Sequence, residues 1–264
     1  MTSQHSPGRP QRQARRRFAG AAASLAASLV AASCLAFAEQ ADERLPCEHD
    51  NLPLEKLREC TNEISKPGLT AADRGNIYMA RGAAWMREDE PAAAAAEFSR
   101  AIAADPLNIA AITGRARAYS ALGKHDLAAA DWTLVVALQP EKSDGYTQRA
   151  ASRLAAGMPT DALADYAHAL ELNPTDPGTY IGRAGVYERL NDRPNALKEF
   201  DLAIRLEPQQ WTTYLARAEL ADRWGDKQMA IDNYRLVVKF NARYWKAYKA
   251  LHRLGADHYF GQKE

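Results

Sequence analysis

Residues 143–176 read SDGYTQRAASRLAAGMPTDALADYAHALELNPTD, and the same arrangement of residue types recurs every 34 positions between residues 75 and 244. The blocks fall at 75–108, 109–142, 143–176, 177–210 and 211–244. Position 4 of each block carries Tyr78, Ile112, Tyr146, Tyr180 and Tyr214, and position 8 is small, as Gly82, Ala116, Ala150, Ala184 and Ala218. Position 20 is alanine five times, from Ala94 to Ala230, and position 24 is aromatic five times, as Phe98, Trp132, Tyr166, Phe200 and Tyr234. Position 32 is proline at Pro106, Pro140, Pro174 and Pro208, and Ala242 in the last block. Position 11 is less regular, with Trp85, Tyr119 and Tyr187 but also Arg153 and Ala221.

Positions 4, 8 and 11 are spaced i, i+4, i+7, and so are positions 20, 24 and 27, so each block predicts two amphipathic helices. Small residues at 8, 20 and 27 let two antiparallel helices approach, and the aromatics fill the space around them. Gly123, Gly157 and Gly225 at position 15 stop the first helix. Pro91, Pro159 and Pro194 stand where the second begins, where a missing N–H is harmless. The proline at position 32 ends the second helix, because it forces its predecessor out of the α region.

A 34-residue unit with these columns resembles the tetratricopeptide repeat. The resemblance implies an all-α, right-handed α-solenoid of five helix–turn–helix repeats. Residues 71–264 form the solenoid, and 245–258, with Tyr248 in register at position 4, form a capping helix. It also implies a non-catalytic function: a protein or peptide partner held in a concave groove lined by first-helix positions 2, 5, 9 and 12. On that register the groove candidates are Met79, Met86, Arg117, Leu154, Ile181, Glu188, Leu215, Glu219 and Asp222. Gly178, Gly182 and Gly185 form an i, i+4, i+7 series that predicts a smooth trough beside Ile181. The acids at the C-terminal end predict a basic residue in the partner. Solenoid ends can also self-associate, so a homo-oligomer is compatible with the sequence.

Residues 1–38 contain Arg9, Arg12, Arg15, Arg16 and Arg17 and no acid, and Phe18 to Ala38 is uncharged and ends Ala36-Phe37-Ala38. Basic region, apolar core and small-x-small site predict a secretory signal cut after Ala38, and so a periplasmic or secreted product. Arg15-Arg16-Arg17-Phe18 fits a twin-arginine signal and a general secretion signal alike. Ala31-Ala32-Ser33-Cys34 loosely resembles a lipoprotein box without its usual leucine, so membrane attachment hangs on lipidation of Cys34. Removing the five arginines leaves 29 basic residues against 33 acidic, a net charge of −4 that argues against nucleic-acid binding.

In the segment 39–70, ahead of the repeats, Cys47 and Cys60 are the cysteines left after cleavage. An isolated pair in an exported chain predicts a disulfide, tying an extended stretch to a short helix from Leu54 to Ile64. His49 with two cysteines gives three ligands at a spacing foreign to zinc sites, and no C-x-x-C is present. No metal or cofactor is expected.

Position 7 is arginine in every block: Arg81, Arg115, Arg149, Arg183 and Arg217. Position 23, on the facing helix, is Glu97, Asp131, Asp165, Glu199 and then Asn233. Four internal salt bridges are expected, with Arg217 the exception. Neither an HExxH nor a G-x-S-x-G nor a Walker loop occurs, so an enzyme reading has no residues to rest on.

Overall fold

A computed structural model describes Asn62, Ile64, Ser65 and residues 67–256. The signal segment, the Cys47–Cys60 pair, most of the Leu54–Ile64 helix and the end of the cap beyond residue 256 lie outside the described residues. Eleven helices follow one another among the described residues, with no strand. The first four are α1 (Ala71–Arg87), α2 (Pro91–Ala104), α3 (Ile109–Ala121) and α4 (His125–Leu138). Then come α5 (Ser143–Ala155), α6 (Pro159–Leu172), α7 (Pro177–Arg189) and α8 (Arg193–Leu206). The last are α9 (Trp211–Arg223), α10 (Lys227–Phe240) and α11 (Trp245–Arg253). Each odd helix packs on the even one after it, and consecutive pairs stack as a right-handed α-solenoid.

The turn inside every repeat needs a left-handed residue at position 15. Gly123, Gly157 and Gly225 supply it with φ of 70°, 82° and 73°, and Asp89 and Asn191 supply it with φ of 59° and 56°. Asp and Asn are the side chains that best tolerate that conformation. Pro91 and Pro159 open α2 and α6, and Pro194 is the second residue of α8. Helix α1 starts at Ala71, one turn ahead of the repeat count. Thr70 accepts from the Asp73 N–H, and Asp73 accepts from the Thr70 N–H, a closed capping box.

The position-4 tyrosines do more than fill space. Tyr146, Tyr180 and Tyr214 donate to the carbonyls of Pro140, Pro174 and Pro208 at 3.2, 3.1 and 2.7 Å. Each proline has no N–H to offer, but its carbonyl joins one repeat to the next. Tyr248 repeats the contact with Ala242 at 3.0 Å, which fixes the register of α11. Ala247 and Leu251 of α11 are buried against Tyr214, Ala230, Tyr234 and Val237, closing the apolar core of the fifth repeat.

The aromatic at position 24 lies under the first helix of the following repeat. A Cβ added at Gly114 would stand 2.6 Å from Phe98, and one at Gly182 would stand 2.5 Å from the Tyr166 hydroxyl and 2.6 Å from Cζ. These two glycines are therefore packing residues between repeats. Gly182 does not open a trough for a partner.

Candidate functional site

Within each of the first four repeats the position-7 arginine meets the position-23 acid. Arg81 donates to Glu97 at 2.9 Å, and Arg115 Nε and Nη2 donate to Asp131 at 2.8 and 2.7 Å. Arg149 and Asp165 repeat the fork at 2.9 and 2.7 Å, and Arg183 and Glu199 repeat it with both bonds at 3.0 Å. The four acids are each 4% exposed, so their charges depend on these partners. Asp165 has a second one: Arg153, standing where three of the other repeats carry an aromatic, donates at 2.7 Å. Glu97 has Arg100 at 2.5 Å. Hydrogen bonding to Asp131 holds the Arg115 guanidinium above its ordinary range.

Arg217 is served differently. Its Nε donates to Asn233 at 2.8 Å, and its Nη1 donates to Asp201 of the preceding repeat at 2.8 Å. Burial pushes this guanidinium below its ordinary range, with Asp201 and Tyr214 acting against that. Asp201 is position 25 of its repeat, where the others have Ser99, Thr133, Ala167 and Arg235. The acid thus appears one repeat early, at the one place where the position-23 acid is missing. Arg217, Asp201 and Asn233, with Leu197, Asp226 and Met229, also line a cavity of about 460 Å³ at the joint between the fourth and fifth repeats.

Along the odd helices the groove positions are half-buried or exposed. Met79 and Met86 are half-buried against Phe98, Ala94 and Ala118. Arg117 is exposed and makes no ion pair among the described residues. Leu154 rests partly on Tyr166 and Val186, Ile181 on Phe200 and Leu220, and Leu215 on the core of the fifth repeat. Between them Ala151 is exposed, and a Cβ at Gly185 would meet only Leu154 Cδ2, at 3.8 Å. The small floor of the groove is Ala151 and Gly185.

The three acids at the C-terminal end are not equally available. Glu188 receives both Nε and Nη2 of Arg223 at 2.7 and 3.0 Å. Asp222 is held by Arg253 of α11. Glu219 alone stays exposed outside any salt bridge, beside Arg223. The expectation of a basic partner residue is corrected on this point, since two of the three charges are already matched. Both pairs join neighbouring helices, at separations of 35 and 31 residues. They recur in no other repeat, so a column count gives no signal for them. Among the described residues no group of three His, Cys, Asp or Glu side chains could hold a metal ion. None of the helices among them is long and apolar enough to cross a membrane.

The fold is that of the tetratricopeptide-repeat proteins. No family model matches the chain, and no curated protein matches it. Solved structures do. The chain is similar to TTC0263, a thermophilic TPR protein of Thermus thermophilus, with a TM-score of 0.57 and 22% identity over 70% of this chain and 98% of that one. It is similar to PilW, a type IV pilus biogenesis factor, with a TM-score of 0.58 and 18% identity over 70% and 89% of the two chains. The MamA protein matches with a TM-score of 0.54 and 17% identity over 66% and 95%. At these identities the likeness concerns the fold.

Proposed function

We propose that the protein is a non-catalytic scaffold of the cell envelope that holds a protein segment against the faces of its odd helices. The observation that carries this reading is the run of half-buried apolar side chains and small residues along the odd helices. Ala151 and Gly185 leave the backbone open to close approach, framed by the half-exposed Leu154, Ile181 and Leu215. The likeness to a pilus biogenesis factor supports an envelope role. The basic and apolar leader supports export with cleavage after Ala38, and the cysteine pair then supports a Cys47–Cys60 bridge.

A photo-crosslinker placed at Ala151 in intact cells should capture a protein, and Gly185→Leu should abolish capture without lowering the melting temperature. Equal capture by that variant, or equal capture from Ala130 on the outer face of α4, would move the site elsewhere. A second reading, a lipoprotein acting from the membrane, has the Ala31-Ala32-Ser33-Cys34 stretch in its favour. Mass spectrometry of the mature N-terminus separates the two, since a free Glu39 supports the first and an acylated Cys34 the second.

A further inference from the structure

The groove does not end with the fifth repeat. Tyr248 sits at position 4 and makes the same carbonyl contact as Tyr214, so Lys246, Lys249 and Arg253 occupy groove positions 2, 5 and 9 of α11. The contact between Arg253 and Asp222 is what a continued groove wall requires. All three cations are exposed, as is the neighbouring Arg243, and the stretch from Lys239 to Arg253 contains no acid.

The charges at this end can be paired off. Glu188 with Arg223, and Asp222 with Arg253, cancel. Lys246 and Lys249 then stand against Glu219 alone, and neither lysine has a carboxylate partner among the described residues. Every other ion pair there uses arginine or histidine, including the buried acids. Lysines on flexible stems are point charges that can turn to meet an incoming group, whereas Arg223 and Arg253 are fixed forks already engaged. Trp245, 62% exposed and 5.9 Å from the Lys249 ammonium, adds a rigid aromatic at the rim.

We propose, on the footing of the groove reading, that the bound segment is apolar over Leu154, Ile181 and Leu215 and acidic where it crosses Lys246 and Lys249. Charge complementarity decides its chemistry and its direction along the groove.

The test uses two labelled peptide probes with the same Leu- and Ala-rich half, one ending in four acidic residues and the other in four basic ones, both amidated. Each is titrated with the full chain by fluorescence anisotropy, at low salt and at physiological ionic strength. The acidic probe should bind about tenfold tighter at low salt, and the advantage should shrink as salt screens it. Lys246→Gln with Lys249→Gln should remove the advantage, and Gly185→Leu should weaken both probes. If the basic probe binds as well or better while Gly185→Leu still weakens both, the polarity is wrong and the groove stands. If neither probe binds, the groove reading falls and this inference falls with it. Displacement of the acidic probe by anionic vesicles, but not by poly-glutamate, would make the rim a lipid site and overturn the assignment.

Discussion

Two glycines three residues apart on α7 should respond in opposite directions to the same substitution. At Gly182 a new Cβ would lie 2.5 to 2.7 Å from Oη, Cζ and Cε1 of Tyr166, where carbon contacts are comfortable at ~3.5–4.0 Å. Tyr166 is 3% exposed, so its ring has nowhere to retreat, and the helices must move by roughly 1 Å. Overpacking of that kind costs about 1–3 kcal/mol, and replacing glycine inside a helix returns ~0.8–1.0 kcal/mol. Gly182→Ala should therefore lose about 1 kcal/mol. At Gly185 the new methyl meets one leucine methyl at 3.8 Å, so Gly185→Ala should gain ~0.8–1.0 kcal/mol. The variants should differ by about 2 kcal/mol, or ~4–8 °C in melting temperature for a solenoid of this size. Thermal unfolding followed by circular dichroism reads this directly. Stabilisation of similar size in both would mean that Tyr166 yields freely and that the close approach at Gly182 is incidental.

Arg183→Ala should cost about 3–5 kcal/mol, because Glu199 has no second cation, whereas Arg149→Ala should cost clearly less while Arg153 still holds Asp165. Equal losses in urea unfolding would show that Arg153 contributes nothing. Asp201→Ala should destabilise by ~1–2 kcal/mol, and adding Asn233→Asp should recover the loss, since Arg217 would regain a partner inside its own repeat. An additive double variant would refute the exchange. Burial pushes the Tyr166 phenol up to about 12 from its ordinary 10. The folded state favours the neutral phenol, so its contribution is intact below pH 10 and lost as pH rises from 10 towards 12. The full loss is on the order of 3 kcal/mol. Tyr166→Phe should make the alkaline loss of stability shallower, and an unchanged slope would show that the phenol ionises without cost.

Recurrence explains what could be read from residues alone. The Arg–acid pairs 16 residues apart were legible because positions 7 and 23 repeat, so spacing and charge agreed four times. Helix starts at Pro91 and Pro159 were legible because proline is fixed in φ. The left-handed turns at Asp89 and Asn191 were not, because the glycine column lapses there and only the backbone shows the substitution. The Glu188–Arg223 and Asp222–Arg253 pairs each occur once and link different helices, so their cancellation depends on which rotamers meet across a joint. The role of Gly182 was hidden for a similar reason. Its partner, Tyr166, belongs to the repeat before it, and a reading by columns sees each helix alone.

The displacement of one carboxylate from position 23 to Asp201 bears on how this array can be copied and cut. Repeat arrays lengthen and shorten by duplication or loss of whole units, provided each unit carries what its neighbours need. The first four units keep their arginine and its counter-charge together and are interchangeable in that respect. The fifth is not. Deleting residues 177–210 would bring Ala167 to the place of Asp201, leaving a desolvated guanidinium against one amide. The fourth and fifth units therefore depend on each other as a pair, and an engineered array that reorders them must first return an acid to position 233.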